Sequence, residues 1–450
     1  MSFQTIAQAA SALSAGSVTA TQLVEEALDR IGDPGGEGSR AFVSVQASQA
    51  RAAAQAMDAL RGAGRAPSIW AGIPISIKDL YDQAGEITRA GSVAREDASP
   101  ALATAPAVAR LERAGFIVLG RTNMSEFAFS GLGVNPHHGT PRSPWDRAVG
   151  RLPGGSSSGA GVATADGMGF AGLGSDTGGS CRIPAALCGI VGWKPTAQRV
   201  PLTGVLPLSS TLDSLGPLAR SVACCGLLDS VMSGEEMEQD HTVPTIRGLR
   251  LAVLEGYVAE GWDSHVTAAF ERALSRLSAA GAQVERLCLP ELAEIPAANA
   301  AGGFAAPEAW AWHRDLVARK REAYDPRILA RILRGEGMAA ADYVDLIQAR
   351  ARISAVIAQR TRAFDAVIMP TCPLIPPAIA EVEDEAAYNR INLLLLRNPS
   401  VANFLDRCAI SIPCHRPGDP PVGFMLMGER MGDRRLLATA AAAEAALAES

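Results

Sequence analysis

Apolar positions in the first stretch of the chain recur at helical spacing. Leu23, Ala27 and Ile31 fall on one helix face and an alanine-rich run from Ala47 to Leu60 follows, so residues 1 to roughly 65 read as helices. The pattern changes at AGIPISIKDL (71–80). There Ile73, Ile75 and Ile77 alternate with smaller or polar residues, which is the period of a strand, and Lys78 stands at its end. The segment ALATAPAVARLERAGFIVLGRTN (101–123) predicts a helix stopped at Gly115 and then a short strand from Phe116 to Leu119.

The second half alternates in the same way. Leu249 to Leu254 predicts a strand, His265 to Gly281 a helix, and Ala366 to Pro370 and Ala409 to Pro413 two further buried strands. Glu308 to Thr361 is rich in Ala, Arg and Leu and reads as a helical layer over one side of a sheet. Strands interleaved with helices, with no internal repeat and no long linker, predict one α/β domain over 1–450. Within it, 1–70 form the N-terminal helices and 71–225 the catalytic core. Residues 226–450 supply the remaining sheet, the helical cover and the substrate-pocket region.

Composition narrows the function classes. The 450 residues are 48% hydrophobic and 20% charged, with 44 Gly and 28 Pro, which describes a globular chain rich in turns. The net charge is −6 and no dense Lys/Arg run could track phosphates, so nucleic acid is not an expected partner. The N-terminus lacks the pattern of a signal peptide, and no apolar stretch is long enough for a membrane span. The eight cysteines contain no Cys-x-x-Cys and no zinc-site spacing. Reduced, buried thiols and a cytoplasmic location are the expectation.

From Gly131 to Gly216 the chain is dense in Gly, Ser, Pro and Thr, yet apolar pieces such as Gly189 to Trp193 interrupt it, as in an ordered site built from loops. The segment GGSSSGAGVATADGMGFAGLGSDTGGSCRIPAALCG (154–189) holds two serines in glycine-flanked contexts. Glycine lets backbone N–H groups converge on a small concavity, which is what the oxyanion of an acyl transfer needs. Asp176-Thr177-Gly178-Gly179-Ser180 therefore offers a nucleophile beside its own oxyanion donors. A serine hydroxyl needs a base. The six histidines, including His241, sit in ordinary contexts. Lys78 ends an apolar strand, where burial disfavours its ammonium form and lowers its pKa.

These residues carry a resemblance. GIPISIKDL, GRTNMSEFAFSGLGVNPHHGTPRSPW (120–145), GGSSSG, GSDTGGSCRIPAALCGIVGWKPT (174–196), LDSLGPLARS (212–221) and PVGFMLMG (421–428) together resemble the amidase signature family over nearly the whole chain. The resemblance implies a central, mostly mixed β-sheet flanked by helices on both faces. It implies Ser180 as the nucleophile that attacks an amide carbonyl, Ser156 as the proton relay and Lys78 as the base. It also implies a cis Gly155–Ser156 peptide, and an oxyanion hole made by the backbone N–H groups of Thr177, Gly178, Gly179 and Ser180. Ser157, Asp176 and Arg182 would fix this loop, and Phe127, Phe129 and Ser130 would lie beside the acyl pocket, although the two phenylalanines equally suit core packing. Cys181 stands where a larger aliphatic residue is common in the family and reads as a small buried hydrophobe.

Other readings fit less of the chain. GSSSG (155–159) satisfies the nucleophile-elbow pattern with Ser157 at its centre, but a loop precedes it where a strand is needed. GMGFAG (167–172) matches a dinucleotide fingerprint and runs into another loop rather than a helix. The amidase-fold subunit of a tRNA-dependent amidotransferase would share the core motifs, but RVPLTGVLPLSSTLDSLGP (199–217) lacks the Arg-Tyr-Gly-type run that usually follows them. A degenerate binding fold would tolerate loss of Lys78, Ser156 or Ser180, and all three are present. The expected partner is a small-molecule amide, with no metal or organic cofactor, and a homodimer is expected on base rate alone. Phe304, Trp310, Asn389 and Phe404 are further pocket candidates, although helix packing explains the aromatics equally well.

Overall fold

The computed structural model describes residues 5–235 and 245–448; His241 lies outside them. Eleven strands form one mixed sheet: β1 (Phe42–Val45), β2 (Pro74–Lys78), β3 (Ile117–Thr122), β4 (Ala171–Asp176), β5 (Val191–Lys194), β6 (Ser214–Ala219), β7 (Arg250–Glu255), β8 (Gln283–Cys288), β9 (Ala366–Pro370), β10 (Ala409–Pro413) and β11 (Gly423–Met427). Their order is β1-β3-β2-β4-β6-β5-β10-β11-β9-β7-β8. β3, β2 and β4 run parallel, as do β9, β7 and β8, while the strands between are antiparallel.

Helices cover both faces, as the side-chain alternation of the strands requires. Along β7, Leu251 and Val253 join one apolar cluster while Ala252 and Leu254 join another; along β10, Ile410 and Ile412 separate from Ala409 in the same way. The first cluster takes Phe270, Leu274 and Leu277 from the helix Ser264–Ala279 and Leu436 and Ala440 from Asp433–Ala448. The second takes Leu346, Ile353 and Ile357 from the helix Ala340–Thr361 and Val401 and Phe404 from Glu385–Phe404.

Three departures from the sequence reading have local causes. The N-terminal region is not wholly helical, because Phe42–Val45 forms the edge strand β1 against β3. β4, β6, β8 and β11 have no counterpart among the strands that the sequence predicts; at β8 the outer position leaves QVERLC mostly exposed and without an apolar alternation. The helical stretch from Glu308 to Thr361 is three helices, Ala305–Lys320, Pro326–Leu333 and Ala340–Thr361. Only the last packs in the second cluster, whereas Ala309, Val317, Ile328 and Ile332 join the first together with Phe127. Among the described residues no helix is long and apolar enough to cross a membrane.

Candidate active site

β2 and β4 are parallel neighbours, so their C-terminal ends deliver Lys78 and Asp176 to the same edge of the sheet. This is where open α/β sheets place their ligands. Lys78 is fully buried, with Nζ 2.7 Å from Ser156 Oγ and 2.8 Å from Ser175 Oγ. Burial lowers its pKa to about 7; the charge of Asp176 and Asp213 opposes this only in part. A large fraction of the amine is therefore unprotonated near neutrality and able to accept a proton.

Ser156 precedes the helix Ser158–Ala165 and is joined to Gly155 by a cis peptide bond. Gly155 N–H donates to Gly131 O at 2.8 Å and Ser125 N–H donates to Ser156 O at 3.1 Å, which seats this turn against the 123–133 segment. A Cβ on Gly155 would fall 2.5 Å from Gly133 N, so the packing admits glycine alone. Ser157 N–H donates to Ser180 O at 3.3 Å, tying the turn around Ser156 to the loop that follows β4.

Asp176 organises that second loop. Its carboxylate accepts from Gly179 N–H (2.8 Å), Cys181 N–H (3.1 Å), Arg182 Nε (3.0 Å) and Nη2 (2.9 Å), and Asn403 Nδ2 (2.9 Å). Burial alone would push the carboxyl pKa up, but the Arg182 guanidinium and these hydrogen bonds hold it well below the usual carboxylate range. Thr177 is anchored by its hydroxyl, which donates to Asp213 Oδ1 at 2.5 Å. Burial raises the Asp213 pKa to about 6 against the hydrogen bonds from Thr177, Ser209 and Leu208.

The four N–H groups of the expected oxyanion set differ in what they already bond. The Gly179 N–H is spent on Asp176, which leaves the N–H groups of Thr177, Gly178 and Ser180 without an intramolecular acceptor among the described residues. Gly179 is instead needed for its conformation: its φ is +129°, and a Cβ there would lie 2.6 Å from Pro399 Cβ.

Ser180 is 4% exposed and lines a cavity of about 470 Å³ with Thr177 and Gly178. Phe129, Ser130, Phe304 and Phe404 line the same cavity. Phe127 does not; its ring packs against His313 (4.4 Å between centroids) and Tyr324 (5.1 Å), because a left-handed backbone at Phe127 (φ +50°) turns it away into a buried aromatic cluster. Trp310 is also outside the lining, and Asn389 lines an adjoining recess. Ser157 is buried, its hydroxyl donating to Ser175 O at 3.3 Å, which removes it from substrate reach as an elbow nucleophile. The run Gly167 to Gly172 enters strand β4 rather than a helix. Burial pushes the Cys181 thiol pKa far up, and Sγ donates to Gly216 O. Cys288 is the exposed exception among the described, unpaired cysteines.

Sequence reasoning passes over Ser175, Asn403 and Asp213. Ser175 stands inside the GSDTGGS run, but a strand serine bears no sign of which neighbour it faces. Asn403 reaches Asp176 across 227 positions of chain, which no local pattern discloses. Among the described residues no group of three His, Cys, Asp or Glu side chains could hold a metal ion.

A family model described as Amidase matches residues 22–437. The chain is 37% identical over 413 residues to the 2-amino-5-chloromuconic acid deaminase of Comamonas testosteroni, covering 91% of this chain and 89% of that protein. It is 33% identical over 467 residues to the A-type subunit of the glutamyl-tRNA(Gln) amidotransferase of Roseiflexus sp. (strain RS-1), covering 96% and 94%. A solved crystal structure of an amidase superposes with a TM-score of 0.89 at 30% identity, covering 98% of this chain and 99% of that one.

Proposed function

The chain belongs to the amidase signature family, and on that premise we propose that it hydrolyses a small carboxylic amide to a carboxylate and ammonia or an amine through an acyl-enzyme on Ser180. The observation that carries this reading is the buried Lys78 amine 2.7 Å from Ser156 Oγ, with a pKa near neutrality. Neutral Lys78 takes the Ser156 hydroxyl proton while Ser156 takes that of Ser180, whose Oγ bonds to the amide carbon. The oxyanion that forms accepts from the N–H groups of Thr177, Gly178 and Ser180. As the C–N bond breaks, Lys78 returns its proton through Ser156 to the leaving nitrogen. Water then attacks the ester by the same route, and Ser180 regains its proton.

Mass spectrometry of enzyme quenched during turnover tests the mechanism. The acyl mass is expected on Ser180 and absent in Ser180→Ala; an acyl group on any other side chain overturns it. We also read 1–450 as one domain, since a single sheet draws strands from the 1–70, 71–225 and 226–450 segments alike.

A second reading, the catalytic component of a glutamine-dependent amidotransferase, is favoured by the 33% identity to such a protein over nearly the full length of both chains. Strict dependence on glutamine and on a copurifying protein would select it, whereas turnover of simple amides by the isolated chain selects the stand-alone hydrolase.

A further inference from the structure

The cavity at Ser180 is lined by apolar groups including Tyr257, Phe304, Leu396 and Phe404, and by three arginines, Arg331, Arg334 and Arg397, with no Asp or Glu in its lining. Three arginines elsewhere are matched to carboxylates, Arg121 to Asp79, Arg182 to Asp176 and Arg199 to Asp229, whereas buried Arg407 donates to the Thr361 hydroxyl. Among the described residues the hydrogen bonds of the cavity arginines go to neutral oxygens, while Glu260 acts on Arg397 and Asp325 on Arg331 at longer range. Arg331 donates to Phe129 O at 2.6 Å and Asn389 Oδ1 at 3.3 Å, and its guanidinium lies 5.4 Å from the Tyr388 ring centre. Arg397 donates to Asn398 Oδ1 at 3.1 Å and Val258 O at 3.2 Å, and Arg334 to Ala300 O at 3.0 Å. Asp325, at the start of the Arg331 helix, is engaged by Arg327 Nε at 2.9 Å and Nη2 at 2.8 Å. Glu385 lies in the adjoining recess, which shares Arg331 and Arg334.

A guanidinium carries five N–H donors, so Arg331 and Arg397 keep donors free for an anion. Burial lowers the Arg331 pKa, a cost that an anionic ligand would offset. An apolar, positively charged cavity opening on an acyl-transfer nucleophile fits a molecule with an amide at one end, an apolar spacer and a carboxylate at the other. We propose that the substrates are half-amides of dicarboxylic acids and that Arg331 and Arg397 are the specificity-determining residues that hold the free carboxylate. This rests on the amide-hydrolase reading of Ser180.

The test compares succinamate, glutaramate and adipamate with butyramide, pentanamide and hexanamide. The best half-amide is expected to exceed its neutral counterpart in kcat/KM by about tenfold or more. Arg331→Met and Arg397→Met should remove that preference through KM while neutral-amide turnover persists. Wild-type enzyme indifferent to the carboxylate, or Arg331→Met and Arg397→Met variants that keep the half-amide preference, overturns the proposal. Calorimetric titration of Ser180→Ala with succinate, glutarate and adipate separates the two readings. Dicarboxylate binding that Arg331→Met abolishes, without amide turnover, keeps the pocket assignment and removes the hydrolase. Turnover of neutral amides without dicarboxylate binding does the reverse.

Discussion

Asp176 and Arg182 meet through two contacts, at 3.0 Å from Nε and 2.9 Å from Nη2, with both side chains wholly buried. The pair sits directly behind the Thr177–Ser180 loop, so its integrity and the shape of the oxyanion site are one property. Asp176→Asn keeps the shape but strands a buried guanidinium. The variant should lose about 3–5 kcal/mol of stability in chemical denaturation. The folded Asp176 pKa is depressed, so its contribution is complete above the unfolded value of about 3.9 and is lost as pH falls through that region toward the folded value. Acid unfolding of the wild type should therefore be steeper than that of the variant.

In the proposed mechanism Lys78 works as a base only when neutral. With its pKa near 7, kcat/KM should rise with pH through that region, and Lys78→Met should lower it by about 10²–10⁴-fold at neutral pH. The same shift has a stability signature. Between about 7 and the unfolded lysine value of about 10.4 the unfolded chain binds the extra proton, so stability rises with pH across that window. Denaturation midpoints of Lys78→Met should lack this rise. A midpoint slope unchanged by the substitution would contradict the buried neutral amine.

Ser180 and Cys181 are adjacent yet face different surroundings. Ser180 lines the cavity, and the Cys181 thiol is buried against Gly216 O with its pKa pushed far up. Ser180→Ala should cost about 10³-fold or more in turnover, while Cys181→Ala should stay within about tenfold of the wild type. Steady-state assays of both variants on one amide decide this. A thiol-dependent enzyme would reverse the order.

Gly179→Ala asks an L-residue to adopt φ +129° with its Cβ 2.6 Å from Pro399 Cβ. The loop must move, and the N–H groups of Gly178 and Ser180 move with it. Turnover should fall by about 10²-fold or more, the scale of losing one oxyanion donor. Calorimetric melting should show a lower Tm.

Some uniformly buried elements are legible from the sequence, whereas β4, β6 and β11 are buried throughout and are not among the strands that the sequence predicts. Ala366–Pro370 and Ala409–Pro413 are strands with the bounds that their apolar runs predict, because strands covered on both faces are apolar throughout. β1 and β8 lie at the two edges of the sheet, where half the surface meets water and the pattern dissolves. In the site, Lys78, Ser156 and Ser180 stand out because local glycine and strand context marks them. Phe127 is not separable from Phe129 by sequence, since nothing in FAF reports that its backbone turns left-handed. Arg331 and Arg397 carry no local signal, because an arginine without a carboxylate partner is visible only once the chain is folded.

The proposed reacting groups all come from positions 78 to 180, whereas Arg331 and Arg397 come from the helices Pro326–Leu333 and Glu385–Phe404. Substitutions that accumulate in the later helices can alter which molecule is accepted while the earlier loops keep bond breaking intact. Separation of this kind gives a lineage room to change its substrate one residue at a time.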